Sequence, residues 1–227
     1  MKRQLIVSQD GSHTYYIPEL REHYHSVYGA IRESRHIFIL NGLQTITTSP
    51  VRILEIGLGT GLNALLTWQY AQDHRLKVYY TGIEKFPLSN RETDVLNYSA
   101  LLRLSPRIFT EFHQSPWNQH ITTNPFFNWI KLKTDLVTFE PSERYDLIYF
   151  DAFAPEVQPE LWTETIFRRL YLCLTKGGKL VTYSAKGSVR RALKSAGFVV
   201  QKLPGPPGKR EITCATEQTI SSDYRSL

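Results

Sequence analysis

Cysteine is nearly absent from this chain, with Cys173 and Cys214 the only two among 227 residues. Both lie among apolar neighbours, so neither a disulfide framework nor a cysteine-rich zinc site is expected, and a reducing cytoplasm is the simpler setting. No metal is expected. Long hydrophobic runs are missing too, which excludes a membrane-spanning helix. The N-terminal stretch from Met1 to Asp10 starts basic but turns polar too soon for a secretory signal. Internal repeats and low-complexity tracts are also lacking. Neither sign of charge dominates: 27 Lys and Arg against 21 Asp and Glu leave a formal charge of +6. That modest excess admits a polyanionic partner without requiring one.

What is present is a hydrophobic content of 41%, enough for one domain with a sizeable core. Three parts are expected: an N-terminal β-hairpin and substrate-side extension over 1–50, a main domain over 51–216, and a polar tail over 217–227 that frays. The hairpin reading rests on Asp10-Gly11, a pair suited to a two-residue turn between Leu5–Gln9 and Ser12–Ile17. Residues 21–43, rich in His, Tyr and Arg, read as a binding segment more than as core. From position 51 the pattern alternates between strand and helix, which predicts an α/β fold with a largely parallel sheet covered by helices on both faces. Strands are predicted at 51–56, 78–83, 127–132, 145–150, 178–184, 198–203 and 211–216. Helices are predicted at 61–73, 89–104, 159–175 and 187–196.

The most informative segment is Glu55-Ile56-Gly57-Leu58-Gly59-Thr60-Gly61-Leu62-Asn63, a strand end running through a glycine-rich turn into a helix. Such glycines let a ligand approach main-chain N–H groups. A dinucleotide fingerprint counted from Gly57 needs a third glycine where Leu62 stands, and no Lys-Ser or Lys-Thr follows for a phosphate-binding loop. NAD and ATP chemistry are therefore disfavoured. The remaining Glu-x-Gly-x-Gly-x-Gly pattern resembles motif I of the Rossmann-like class I S-adenosyl-L-methionine-dependent methyltransferases. In a fold of that kind ligands bind beyond the carboxyl ends of the strands. Glu84, ending Val78-Tyr79-Tyr80-Thr81-Gly82-Ile83, can accept both ribose hydroxyls. The resemblance assigns Asp135 to the adenine amine, although Lys131 and Lys133 offer it salt bridges. Glu55 could meet the ligand's ammonium or brace the loop, and Asn63 joins this cofactor group.

Asp151 is the sharpest single residue. It follows the apolar strand Asp146-Leu147-Ile148-Tyr149-Phe150 and opens Asp151-Ala152-Phe153-Ala154-Pro155. An amine attacks an electrophilic methyl only through a free lone pair, so a nearby carboxylate can orient the neutral amine and take its proton. It could equally hold the loop. With Pro159 and Trp162, Tyr183-Ser184-Ala185, Val189-Arg190-Arg191, Leu193, Ala196-Gly197-Phe198, Gly208-Lys209-Arg210-Glu211 and the earlier Glu33-Ser34-Arg35-x-x-Phe38, this cluster resembles the methyltransferase domain of the MnmC-type tRNA wobble-uridine enzymes. The resemblance runs from about Tyr24 to Thr216.

That resemblance implies a transferase that uses S-adenosyl-L-methionine to methylate the 5-aminomethyl group of (2-thio)uridine 34 in tRNA. It implies cofactor contacts at Gly57, Gly59, Gly61 and Glu84, and a catalytic role for Asp151. Tyr24, Phe153, Pro155 and Trp162 would face the transferred group or the extruded base. Lys209 and Arg210, and less securely Arg190 and Arg191, would contact phosphates near the anticodon. Bifunctional members continue into a flavin-dependent oxidase domain where this chain ends at Leu227, so a standalone form without a fused oxidase is expected. Two rivals stay open: a small-amine methyltransferase or aminopropyltransferase of the same fold, and a non-catalytic RNA-binding module.

Overall fold

Two strand segments are buried at nearly every position, and this places them at the centre of the sheet. A strand covered on both faces has no solvent side and needs apolar residues throughout. In the computed structural model, which describes residues 2–218, a small N-terminal sheet comes first. Its strands are β1 (Gln4–Val7), β2 (His13–Ile17) and β3 (Glu22–His23), paired antiparallel in that order. Helix α1 (Ala30–Ser34) follows and runs into a π-helical turn over Arg35–Leu40. The main domain then unfolds as β4 (Val51–Ile56), α2 (Leu62–His74), β5 (Val78–Glu84), α3 (Asn90–Asp94), α4 (Tyr98–Leu101), α5 (Pro106–Gln114), β6 (His120–Asn124), β7 (Phe127–Lys133) and β8 (Tyr145–Phe150). It finishes with α6 (Glu164–Leu172), β9 (Leu174–Thr182), α7 (Gly187–Ser195), β10 (Val199–Pro204) and β11 (Glu211–Thr216).

The main sheet has eight strands in the order β10-β11-β9-β8-β4-β5-β7-β6. β4 lies between parallel neighbours, with Ile56 opposite Ile83 on one side and Phe150 on the other. β7 continues in register, Leu132 opposite Ile83. The carboxyl ends of four strands therefore lie level, and the chain leaves β4 toward β5 and later returns on its other flank at β8. This reversal opens a crevice above the strand ends. β11 runs antiparallel to both β9 and β10. One face is covered by α2, α5 and the 37–43 segment around Phe38, Tyr80 and Trp129. The other is covered by α6 and α7 around Phe150, Trp162 and Phe167.

The α/β class and every predicted strand are present, but several details differ. The sheet has one more strand than the seven expected, because β6 pairs antiparallel on the β7 edge across a bulge between Thr122 and Asn124. Its half-exposed His-Ile-Thr-Thr-Asn has little alternation to signal it. α5 was also unanticipated, although Ser105 caps it by accepting from Arg107 N–H and Pro106 opens it. The helix predicted over 89–104 is broken because Asn97 serves the N-terminal sheet instead. Its side chain accepts from His13 N–H at 2.9 Å and donates to the Gly11 carbonyl at 2.9 Å. The first hairpin has the loop Ser8–Ser12, not a two-residue turn, since Asp10 is drawn aside to accept the Arg32 N–H of α1 at 2.9 Å. Residues 21–43, expected to be a binding segment more than core, do supply core: Ile37, Phe38 and Ile39 are buried.

The helix predicted at 159–175 is a short 3-10 turn, Pro159–Leu161, followed by α6, and β9 starts at Leu174. Of the tail expected to fray, Glu217 is held by Gly177 N–H at 2.9 Å, and residues 219–227 lie outside the described residues. Among the described residues no helix is long and apolar enough to cross a membrane, and no acid, histidine and cysteine group could hold a metal.

Phe167 is fully buried, 5.2 Å from the Phe150 ring and 6.4 Å from Trp162. Phe167→Ala is expected to lower unfolding stability by about 3–5 kcal/mol through the cavity it leaves. Urea denaturation measures that loss.

Candidate active site

The level strand ends bring Gly57, Glu84, Asp135 and Asp151 to one rim. Gly57 has φ +85°, and a Cβ there would stand 2.6 Å from the Asp151 carbonyl, so a side chain would force the two loops apart. Gly59 donates its N–H to the Glu84 carboxylate at 2.9 Å, and Phe86 N–H donates to the other oxygen at 2.8 Å. These bonds fix the Glu84 carboxylate against the glycine loop while leaving lone pairs for a ligand. Asp135 lines the same cavity. The Lys85 ammonium, 2.7 Å away, holds its carboxyl below the usual range. Gly57, Gly59, Glu84 and Asp135 are thus brought together around one cavity.

Gly61, Glu55 and Asn63 lie behind that wall. Gly61 starts α2 in a left-handed conformation, and a Cβ there would meet the Phe112 ring at 2.7 Å. Its lack of a side chain serves packing. Glu55 is fully buried, accepting from Tyr80 OH at 2.6 Å and from Asn63 Nδ2 at 2.8 Å. Of the two roles left open for Glu55, this geometry is that of the brace. The same Asn63 nitrogen donates to Asp151 Oδ2 at 2.8 Å. One amide therefore orients two acids. Burial drives the Glu55 carboxyl well above its usual range. Burial likewise pushes Asp151 up to about 7, with Glu33 adding to the rise and Asn63 and Lys209 opposing it.

Asp151 stands where two cavities meet, since Tyr24, His25, Asp151, Ala152 and Phe153 line both. Tyr24 packs edge-on to Phe153 at 5.1 Å and accepts a hydrogen bond from Arg3 Nε at 2.9 Å. His25 is held neutral, because burial lowers it to about 4, and its Nε2 lies 2.6 Å from Thr60 Oγ1. The second cavity continues to Glu33, Tyr183 and Lys209. Beyond it, Pro155 and Arg210 line a groove with Lys186, Lys202 and Lys209.

Trp162, Arg190 and Arg191, all expected as contacts, are not in these walls. Trp162 is buried, donating Nε1–H to the Phe153 carbonyl at 2.8 Å, so it supports the acid-bearing loop. Arg190 is engaged by Glu211 at 2.8 Å and by Thr213. The sequence reading gave no individual role to Tyr183, and none to His25 or Glu33 beyond their place in the 21–43 binding segment. Glu33 and Tyr183 stood in the resemblance segments, and only the fold shows that they meet.

The raised Asp151 carboxyl has a consequence for stability. Between its unfolded value near 3.9 and its folded value of about 7 the folded state binds the extra proton, so stability falls as pH rises through that window. Asp151→Asn is expected to raise the melting temperature by a few degrees at pH 8, and the difference should vanish toward pH 4. Calorimetry across that range checks it.

Residues 110–218 match a family model described as S-adenosyl-L-methionine-dependent methyltransferase. The chain is 34% identical over 219 residues to the tRNA 5-methylaminomethyl-2-thiouridine biosynthesis bifunctional protein MnmC of Leptospira borgpetersenii, with 89% of this chain and 33% of that protein covered. It is 34% identical over 224 residues to the protein of the same description from Cupriavidus metallidurans, covering 92% and 33%. The chain thus spans about a third of the length of these curated relatives. The crystal structure of MNMC2 from Aquifex aeolicus superposes with a TM-score of 0.77 at 26% identity, covering 96% of this chain and 71% of that one. Spermidine synthase from Thermotoga maritima, at 12% identity and a TM-score of 0.57, shares the fold. By its sheet order, its strand-end acids and these matches, the chain belongs to the class I S-adenosyl-L-methionine-dependent methyltransferases and aligns within them to the methyltransferase region of the MnmC-type proteins.

Proposed function

We propose that this chain methylates the 5-aminomethyl group of (2-thio)uridine at the wobble position of tRNA, giving 5-methylaminomethyl-(2-thio)uridine, with S-adenosyl-L-methionine as donor and in the cytoplasm. The observation that carries the reading is Asp151, half-buried at the junction of two cavities and fixed by Asn63. Its strand-end position and the MnmC relatives support it.

The residues present fit the donor. Gly57 and Gly59 line the cavity, the remaining lone pairs of Glu84 suit two ribose hydroxyls, and Asp135 suits an exocyclic amine. S-adenosyl-L-methionine supplies, when bound, an electrophilic methyl group on a sulfonium. The chain's own task is to present a neutral amine to it. Asp151 accepts an N–H from the aminomethyl nitrogen, aims its lone pair, and takes the proton shed as that nitrogen gains its methyl group. Asn63 keeps the carboxylate pointed at the amine, and Glu55 with Tyr80 keeps Asn63 from turning. Tyr24 and Phe153 offer ring surface to a base drawn out of the anticodon stack. Pro155 shapes the groove beside it, where Arg210, Lys186 and Lys202 can meet phosphates.

Asp151→Ala is expected to lower kcat for aminomethyl-tRNA by about 10²–10⁴-fold while leaving donor affinity nearly unchanged. Glu84→Ala should do the reverse, weakening donor binding first. In the wild type the rate should fall as pH drops through about 7, where Asp151 takes up its proton. Mass spectrometry of wobble nucleosides after incubation with donor and undermodified tRNA tests the whole reading. Normal donor binding with unmethylated tRNA would overturn it, and transfer to free polyamines instead would favour a small-amine transferase.

A further inference from the structure

The second cavity contains an ion pair that the methyl-transfer mechanism does not use. Glu33, on α1, and Lys209, on the loop between β10 and β11, come from opposite ends of the chain and meet with Glu33 Oε1 2.7 Å from Lys209 Nζ. Glu33 is 8% exposed, and its other oxygen accepts the Ser26 N–H at 2.8 Å. The Lys209 ammonium lies 4.2 Å from the centre of the Tyr183 ring, and Tyr183 is itself fixed by donating its hydroxyl to the Ala152 carbonyl at 2.8 Å. Both charged groups line the cavity that also holds Asp151 and Phe153. Withdrawing the Glu33 carboxylate from water is costly, while Lys209 stays partly exposed and leaves the pair open to a ligand. The pair therefore calls for a polar ligand.

Neither group is saturated by the other. A carboxylate offers about four lone-pair sites, and an ammonium three N–H donors. The cavity thus presents a cationic donor beside an anionic acceptor, next to the acid assigned to the amine. In a uracil substituted at C5 the neighbouring groups along the ring are the O4 acceptor and then the N3–H donor. Cytosine carries an amino donor and a bare N3 acceptor at the same places, the reverse pattern. Accepting the proposed function as the frame, we infer that Glu33 and Lys209 read the uracil edge of the acceptor base, Lys209 donating to O4 and Glu33 accepting from N3–H. Position 2 lies beyond N3 and outside this contact, so uridine and 2-thiouridine satisfy the pair alike.

The test uses anticodon stem-loop RNAs carrying 5-aminomethyluridine, 5-aminomethylcytidine or N3-methyl-5-aminomethyluridine at position 34, with methyl transfer read as kcat/KM. Wild type should favour the uridine over the other two by at least about 100-fold, since a buried polar site rejects a ligand that leaves it unpaired. Glu33→Gln turns an acceptor into a group that can also donate, and Lys209→Gln supplies an acceptor for an amino group. Each should raise KM for the uridine RNA at least about tenfold and narrow the uridine-to-cytidine ratio. Donor affinity should stay within about twofold, which separates lost recognition from lost folding. Equal use of the uridine and N3-methyl RNAs by wild type would overturn the inference without any variant, as would variants with an unchanged uridine-to-cytidine ratio. Wild type that binds donor yet methylates none of the three would overturn the proposed function, and this inference with it.

Discussion

The in-register parallel pairing of β4 with β5 and β8 is the constraint on which the site depends. With Ile56 opposite both Ile83 and Phe150, the next residues out, Gly57, Glu84 and Asp151, emerge at one height. A slip of one residue would reverse every side chain on the displaced strand. The almost wholly buried β4 and β8 would still pair after such a slip, but Glu84 would no longer meet Gly59 N–H, and Gly57 would no longer lie against the Asp151 carbonyl. Backbone hydrogen bonds across the loop, Gly57 N–H and Leu58 N–H to the Ile83 carbonyl and Asp151 N–H to the Ile56 carbonyl, carry the register past the strand ends.

Behind that rim the site stores electrostatic strain. Glu55 and Asp151 share one amide donor, and burial opposes ionisation of both. Two aliphatic side chains would fill the same space at lower free-energy cost. The arrangement is intelligible when a cation and an amine enter the crevice, because an acid kept near neutrality is poised to receive a proton, whereas a fully solvated carboxylate is too weak a base. The Tyr80–Glu55–Asn63 chain confines this strain to one direction, toward Asp151.

Much of this could be read from residues in order. The strand ends of β4, β5 and β8 were legible because apolar runs, glycines and acids follow one another directly, and the α/β alternation followed from the same pattern. β6 was not, since a half-exposed edge strand needs little alternation, and the break at Asn97 depends on a partner more than eighty residues away. The second cavity was least legible. Glu33, Tyr183 and Lys209 are far apart in sequence, and no spacing rule links residues that different elements bring together. Glu55 and Gly61 show the converse limit: the glycine motif marks the loop, but only packing separates the glycines that line the cavity from the one that accommodates Phe112.

A division of labour follows from where the groups are anchored. The residues assigned to the donor and to proton transfer sit on or just beyond strands of a buried sheet, where tenths of an ångström are enforced by backbone pairing. The residues proposed to face the acceptor come largely from the N-terminal extension and the β10–β11 loop, which are joined to each other by Glu33 and Lys209 and to the sheet by Tyr24 and Tyr183. Reaction geometry needs rigid support, while choice of acceptor needs only a complementary edge held in place. The fold that this chain shares with a spermidine synthase at 12% identity is consistent with that separation. The sheet can be kept while the surrounding segments change, and on the proposed reading the extension and the β10–β11 loop are where acceptor identity would be set.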